Sequence, residues 1–232
     1  MIHLKAALAL AFREFERKCG AQDAIRPSTG LAPLDRLTDG MPPGSTTAFS
    51  GRSGAGVRSL CASVALNFLL NRGPVIWITR TLSSTELVNR LLAQKSEVDI
   101  ASIESGRLDR SEWAKVAGAA ADIADLRLQI FEDSPALPDL ERLAPGDLAL
   151  VVSDVPLDAR QFATKTKAAV IAIRPAAALF DFEIEVERRA ERVTLTTKAR
   201  RNGPLHAGKL EFSTRSLRFR PGLESPALEV ER

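Results

Sequence analysis

The sequence predicts an α/β fold with a mainly parallel central sheet flanked by helices and antiparallel strands at its C-terminal side. Three observations predict it. Short continuous apolar runs at Val75–Ile78, Leu148–Val152 and Ala169–Ile173 suit parallel strands covered on both faces. Amphipathic stretches with a period near 3.6 alternate with these runs. After residue 180 the helical period stops, and Phe180–Arg188 and Glu191–Lys198 read as two long antiparallel strands.

The elements follow in chain order. Residues 2–19 read as an amphipathic helix, with Leu4, Leu8, Phe12, Phe15 and Cys19 on one face and Lys5, Arg13, Glu16 and Arg17 off it. That stripe must be buried, either on its own domain or on a neighbouring subunit. Residues 20–30 are a loop by composition. A short helix at Leu34–Leu37 closes on Gly40, and Pro42-Pro43-Gly44 turns the chain into a first strand, Thr47–Ser50. A glycine loop and an amphipathic helix follow, with Leu60, Val64, Leu66, Leu69 and Leu70 as its apolar positions.

Beyond Val75–Ile78, Ser83 or Ser84 caps a helix with Glu86 near its start. Residues 97–126 are helical with a break at Gly106, and Asp109 or Ser111 caps the second part. Leu128–Phe131 is a short strand, and Leu148–Val152 ends in Ser153-Asp154. A helix at Ala159–Lys167 precedes Ala169–Ile173. A turn at Asn202-Gly203-Pro204 leads to strands at Gly208–Ser213 and Leu217–Phe219. The domain reading is a linker-like helix and loop over 1–27, one α/β domain over 28–222, and a flexible tail over 223–232.

Composition narrows the classes. The 232 residues are 45% apolar, enough for a sizeable core. A net charge of +3 permits nucleic-acid contact without implying it. Cys19 and Cys61 both sit at apolar helical positions and read as reduced thiols rather than a disulfide. No apolar run approaches the ~18 residues of a membrane span. The opening MIHLKAALALAF faintly resembles a signal peptide, but its apolar core is short and the helical pattern continues into REFERKC. A cytoplasmic location is therefore expected.

The chemistry-bearing stretch is STTAFSGRSGAGVRSLCASVALNFLLNR, residues 45–72. Strand, glycine loop and helix form the layout of a phosphate-binding P-loop, G-x-x-x-x-G-K-[ST]. Gly51 and Gly56 hold the two glycine positions, with Gly54 between them. Val57 stands where the lysine belongs and Arg58 where the serine or threonine belongs. A valine cannot offset phosphate charge, and a guanidinium donates hydrogen bonds but cannot ligate a cation. A register slid by one would let Arg58-Ser59 imitate Lys-Ser, at the expense of a longer loop. Loop N–H groups and a helix N-terminus attract anions without the lysine. The glycines also suit a plain tight turn.

Several stretches together resemble the C-terminal, RecA-like motor domain of DnaB-type hexameric replicative DNA helicases. STGLAPLDRLTDGMPPG resembles the family's entry segment, T-G-x-x-x-L-D-x-x-x-x-G-x-x-x-G. TELVNRLL with SGRLDRSEWAKVAGAAADI is similar to its helical block after the second core strand. KARRNGPLHAGKLEF resembles its K-x-R-N-G-P-x-G-x-x-x-L-x-F stretch. The matches run in order from about Ser28 to Phe219. The resemblance implies a P-loop ATPase core whose first helix takes the place of a linker helix docking on the adjacent protomer. The family's separate N-terminal domain has no expected counterpart here.

Carried over residue by residue, the resemblance implies a reduced machinery. Thr81 falls where the family has the glutamate that activates water, and a hydroxyl is no base at neutral pH. Asp154 falls at the Walker-B carboxylate; a turn or a helix cap before Pro156 is the alternative role. Proline 175 takes the place of a polar sensor glutamine after Arg174. Arg201, anchored on Asn202-Gly203-Pro204, matches the arginine finger, with Lys198 or Arg200 near the accompanying lysine; a solvated basic turn is the alternative. Both DNA-gripping loops are short, and EIEVERRAER reads as a solvent-facing strand pair.

The expected function is accordingly a non-hydrolysing binding, scaffold or regulatory module linked to DNA replication. Its contact is a protein partner, a replicative helicase or a second copy, through residues 2–19. DNA binding is expected to be weak or lost, with no membrane contact. An active ATP-dependent helicase with a shifted P-loop, and a sensor that binds nucleotide or anion without hydrolysis, stay open. The candidate ligands are ATP, ADP or phosphate; no metal site is expected, and the residues argue against Mg²⁺. The candidate site residues are Gly51, Gly54, Gly56, Val57, Arg58 and Ser59 for binding, with vestigial Asp154 and finger-like Arg201 for catalysis.

Overall fold

The computed structural model describes residues 8, 28–71, 73–133, 140, 142–143, 149–173, 180–200 and 205–222. The predicted helix over 2–19, the Arg174-Pro175 step, the turn at Asn202-Gly203-Pro204 and the tail over 223–232 lie outside these residues, Leu8 apart.

One nine-stranded sheet organises the chain, in the order β3-β2-β4-β5-β1-β6-β7-β8-β9. The strands are β1 (Thr46–Gly51), β2 (Val75–Ile78), β3 (Leu128–Phe131), β4 (Leu150–Ser153), β5 (Ala169–Ile173), β6 (Phe182–Arg189), β7 (Arg192–Arg200), β8 (Ala207–Phe212) and β9 (Phe219–Pro221). The six from β3 to β6 are parallel; β6 through β9 pair antiparallel. This is the predicted fold class. The parallel strands β2 and β4 are buried along their whole length, as their unbroken apolar runs require.

The predicted elements shift at their edges for local reasons. The fourth strand starts at Leu150 rather than Leu148, in register with Val75 of β2. The sixth starts at Phe182 rather than Phe180. Before it, the Asp181 carboxylate accepts from the Thr46 N–H at 2.9 Å and the Thr46 hydroxyl at 3.0 Å, pinning the starts of β6 and β1 together.

The helices are α1 (Ala32–Thr38), α2 (Val57–Asn71), α3 (Ser84–Ser96), α4 (Ile100–Ser105), α5 (Arg110–Ile123) and α6 (Ala159–Thr166). Ser83, not Ser84, is the cap of α3, and Asp109, not Ser111, caps α5. Each forms a reciprocal capping box, with Glu86 and Glu112 respectively. Gly106 takes φ +69° and separates α4 from α5, as its position predicts. Helix α2 is apolar almost all round and is buried from Val57 to Leu69 save Arg58 and Asn67. It is the buried helix on one face of the sheet, among Phe49, Trp77, Leu87 and Leu195. The other face is filled by Ile76, Val151, Phe162 and Val170.

The antiparallel extension is fastened back onto the helices by charge. Glu97, just after α3, accepts from Arg218 and from Arg220, the latter at 2.6 Å. Asp99 pairs with Arg215 at 3.1 Å. The hairpin between β6 and β7 is split by face: Ile184, Val186, Val193 and Leu195 are buried, while residues 187–192 at its tip are exposed. The charged segment there is solvent-facing at the tip alone.

Candidate functional site

The glycine loop leaves β1 at Gly51 and enters α2 at Val57, at the C-terminal edge of the parallel strands. Its shape is set by packing. A Cβ on Gly51 would lie 2.6 Å from the Val186 carbonyl oxygen. Gly56 has φ +87°, and a Cβ there would lie 3.2 Å from the Phe219 ring. The Leu60 N–H bonds the Gly56 carbonyl at 2.8 Å, so the helix begins directly after Gly56. The shifted reading would start the helix one residue later, with Arg58-Ser59 in the Lys-Ser places.

Val57 is 4% exposed and joins the core rather than the loop's open side. Ser59 is also buried. Its hydroxyl accepts from Arg90 Nη1 at 3.5 Å, and its carbonyl accepts from Gln94 Nε2 at 2.9 Å. Ser59 thus faces α3.

Arg58 reaches the opposite way, to the ends of β2 and β4. Its Nε donates to the Thr81 hydroxyl at 3.0 Å and lies 3.8 Å from Asp154 Oδ2. Asp154 follows β4 directly, and its side chain is 4% exposed. The same oxygen accepts from Thr79 Oγ1 at 2.9 Å and from Thr81 Oγ1. Oδ1 accepts from the Arg80 N–H at 3.0 Å. Asp154 therefore closes the turn that follows β2. It caps no helix: Asp158 caps α6, through the Gln161 N–H at 2.9 Å. A buried carboxylate needs such partners, since an isolated one costs several kcal/mol of lost hydration.

Beneath this cluster, burial pushes the Cys61 thiol up; Arg58 opposes and Asp154 adds to the rise. Cys61 is thus a protonated core side chain. Cys19 lies outside the described residues, as does Arg201. Lys198 donates to Glu185 at 2.6 Å, and that pairing raises its pKa. Among the described residues, no group of three or more His, Cys, Asp or Glu could hold a metal ion.

A cleft of about 250 Å³ opens over the loop. Beside Gly54, Gly56 and Arg58, its walls include Arg90 of α3, Arg188 of β6, Phe212 and Leu217. Arg188 lies 5.2 Å from the centre of the Phe212 ring, a cation–π contact. The sequence did not mark these two arginines. Arg90 stands four residues after Glu86 and reads as an exposed helix pair. Arg188 sits in an alternating-charge strand and reads as solvated. Neither has a local signal, because both meet the loop from distant elements.

Comparison with known proteins places this arrangement. Residues 27–144, just over half of the chain, match the family of the DnaB-like helicase C terminal domain. Similar proteins include the replicative DNA helicase DnaB of Leifsonia xyli subsp. xyli, 27% identical over 144 residues, 60% of this chain and 31% of that protein. That of Nostoc sp. is 25% identical over 136 residues, 58% of this chain and 15% of that protein. The chain thus spans under a third of the length of these relatives. Two solved structures share the fold. A DnaB-like replicative helicase, determined with its interactions with primase, has a TM-score of 0.74 at 16% identity over 95% of this chain and 67% of its own. The ATPase domain of G40P has a TM-score of 0.74 at 17% identity over 96% of this chain and 99% of its own.

The fold is therefore that of a RecA-like helicase ATPase domain. The chain belongs to the family of DnaB-like helicase C-terminal domains. Among the described residues, no helix is long and apolar enough to cross a membrane.

The side chains at the loop do not fit a magnesium–nucleotide complex. Such a site places a lysine on the phosphates and a hydroxyl with a carboxylate on the metal. Here the lysine position is a buried valine. The hydroxyl position carries a guanidinium, and that guanidinium lies against the carboxylate.

Proposed function

We propose that this chain is a DnaB-like domain that does not hydrolyse nucleotide and serves as a binding or scaffold module linked to DNA replication. The observation that carries this reading is the Arg58–Thr81–Asp154 cluster. A cation of the protein's own lies on the carboxylate that would hold a metal. A hydroxyl stands where water would need a base, and it bonds to both charged groups. Losing one oriented catalytic group commonly costs about 10² to 10⁴ in rate. With lysine, metal ligand and base all replaced, no turnover is expected.

A DNA-stimulated phosphate-release assay on the purified chain tests this. The expected result is release at the level of a blank. Sustained turnover that disappears in the Asp154→Ala variant would sink the reading and favour a working ATPase.

The partner is a protein, a DnaB-type helicase or a second copy, met through residues 2–19. Support comes from the apolar stripe of that segment and from Leu8, which is 49% exposed. A structural neighbour was determined with its interactions with primase, which supports a protein contact for this chain. Leu8→Asp combined with Phe15→Asp should convert an oligomer to monomer in light scattering. An unchanged mass would exclude this segment as the contact.

A further inference from the structure

We propose that α5 carries a second interaction surface, its exposed face pairing antiparallel with α5 of a second copy of this chain. This contact is additional to the one proposed for residues 2–19 and does not depend on it.

Three observations support it. First, α5 packs on α3 and buries Ala119, but leaves an apolar face uncovered. Trp113, Ala114, Ala117, Gly118 and Ala121 are all exposed, Trp113 at 65%. At 3.6 residues per turn these five fall within about 140° of the helix circumference. Second, Gly118 lies in the helix interior, where glycine weakens a helix relative to alanine. A Cβ there would meet nothing within 4 Å. The single chain gives no reason for a glycine at this point, whereas a second backbone crossing closely does. Third, Arg110 stands in the first turn of α5 and Asp125 just past its end, each of the wrong sign for the helix dipole. Neither side chain has an ion-pair or hydrogen-bond partner among the described residues.

The charges select the occupant. Two copies of α5 laid antiparallel, with a two-fold axis between Ala117 and Gly118, set Arg110 opposite the second copy's Asp125. Ala114 then stands opposite the second copy's Ala121, and Gly118 opposite the second copy's Ala117. Each misplaced charge gains an opposite charge and the favourable end of the second helix dipole. A parallel pair would instead bring like charges together at both ends. The small residues at the crossing let the axes approach to about 8 Å, the close limit of helix packing. The contact is modest in size. A helix of 14 residues offers a strip about 21 Å long. That is well short of the ~800 Å² per partner of a standard interface. Pairing is therefore weak, formed at high concentration or between chains already held through residues 2–19.

Tryptophan emission of the full chain against concentration, with sedimentation equilibrium alongside, tests this. Of the two tryptophans Trp77 is buried, so a shift reports on Trp113. Emission should move to shorter wavelength between about 10 μM and 1 mM as monomer becomes dimer. Arg110→Asp and Asp125→Arg each place like charges at both ends of the pair and should each weaken it about tenfold. Together they should restore the parent's affinity. Both reversals suit the dipole of α5, so neither should unfold it. Gly118→Ala should weaken association severalfold while raising Tm by about 2 °C, because alanine is the better helix former. The Leu8→Asp, Phe15→Asp chain, monomeric at low concentration, should show the same shift at high concentration. Its loss there would make residues 2–19 of the second copy the occupant of this face and overturn the pairing. Emission independent of concentration, or single reversals that the double variant does not rescue, would overturn it as well.

Discussion

The glycine loop between β1 and α2 and the crevice at the ends of β2 and β4 lie side by side, yet different forces hold them. The loop is fixed by crowding and backbone conformation: the Val186 carbonyl under Gly51 leaves no room for a Cβ, and at Gly56 a positive φ adds to a tight approach to the Phe219 ring. Neither contact involves a ligand. The crevice is fixed by charge and hydrogen bonds converging on Asp154. A backbone wedged by its own fold keeps its shape whether or not phosphate binds. Side chains at the open edge are under no such constraint, and there Arg58 and Thr81 gather on Asp154, while Val57, at the position of the motif's lysine, is held in the core. The loop's backbone therefore holds its shape by packing, independently of the side chains that line it.

Substitutions can break or sharpen that contrast. Gly51→Ala should have the largest effect, because its methyl meets backbone that cannot move aside. A loss of about 3 kcal/mol, the upper end for overpacking, is expected in urea denaturation. A loss below ~0.5 kcal/mol would mean that the loop is not wedged. Asp154→Ala should come next, at about 2 kcal/mol. It strands the buried Thr79 hydroxyl, while water can replace the more exposed Arg58 and Thr81. If denaturation of this variant matches the parent, the cluster holds nothing together and its residues are free for another role. Arg188→Gln should be smallest, within about 0.5 kcal/mol, since its exposed side chain rests on Phe212 alone among described contacts. A larger loss would make Arg188 a structural clamp on β8.

The reading of elements from sequence succeeded where local physics decides. Ser83 and Glu86, like Asp109 and Glu112, form capping boxes within four residues of chain. Gly106 breaks the helical run through its own φ. Difficulty arose where partners are far apart. The start of β6 is set by Asp181 acting on Thr46, 135 residues away. The role of Asp154 was open between metal ligand, turn and cap. Its partners Thr79, Arg80 and Thr81 lie 73 to 75 residues earlier in the chain.

By itself, the order of residues determined the α/β layout, the glycine loop and the valine and arginine that stand at its lysine and hydroxyl positions, because periodicity and motif spacing are local properties. Tertiary structure alone decided that Arg58 turns onto Asp154, that Val57 sinks into the core, and that Arg90 and Arg188 converge over the loop. Those are meetings of side chains carried by separate strands and helices. Their encounter depends on sheet order and register, which no single stretch of the chain encodes.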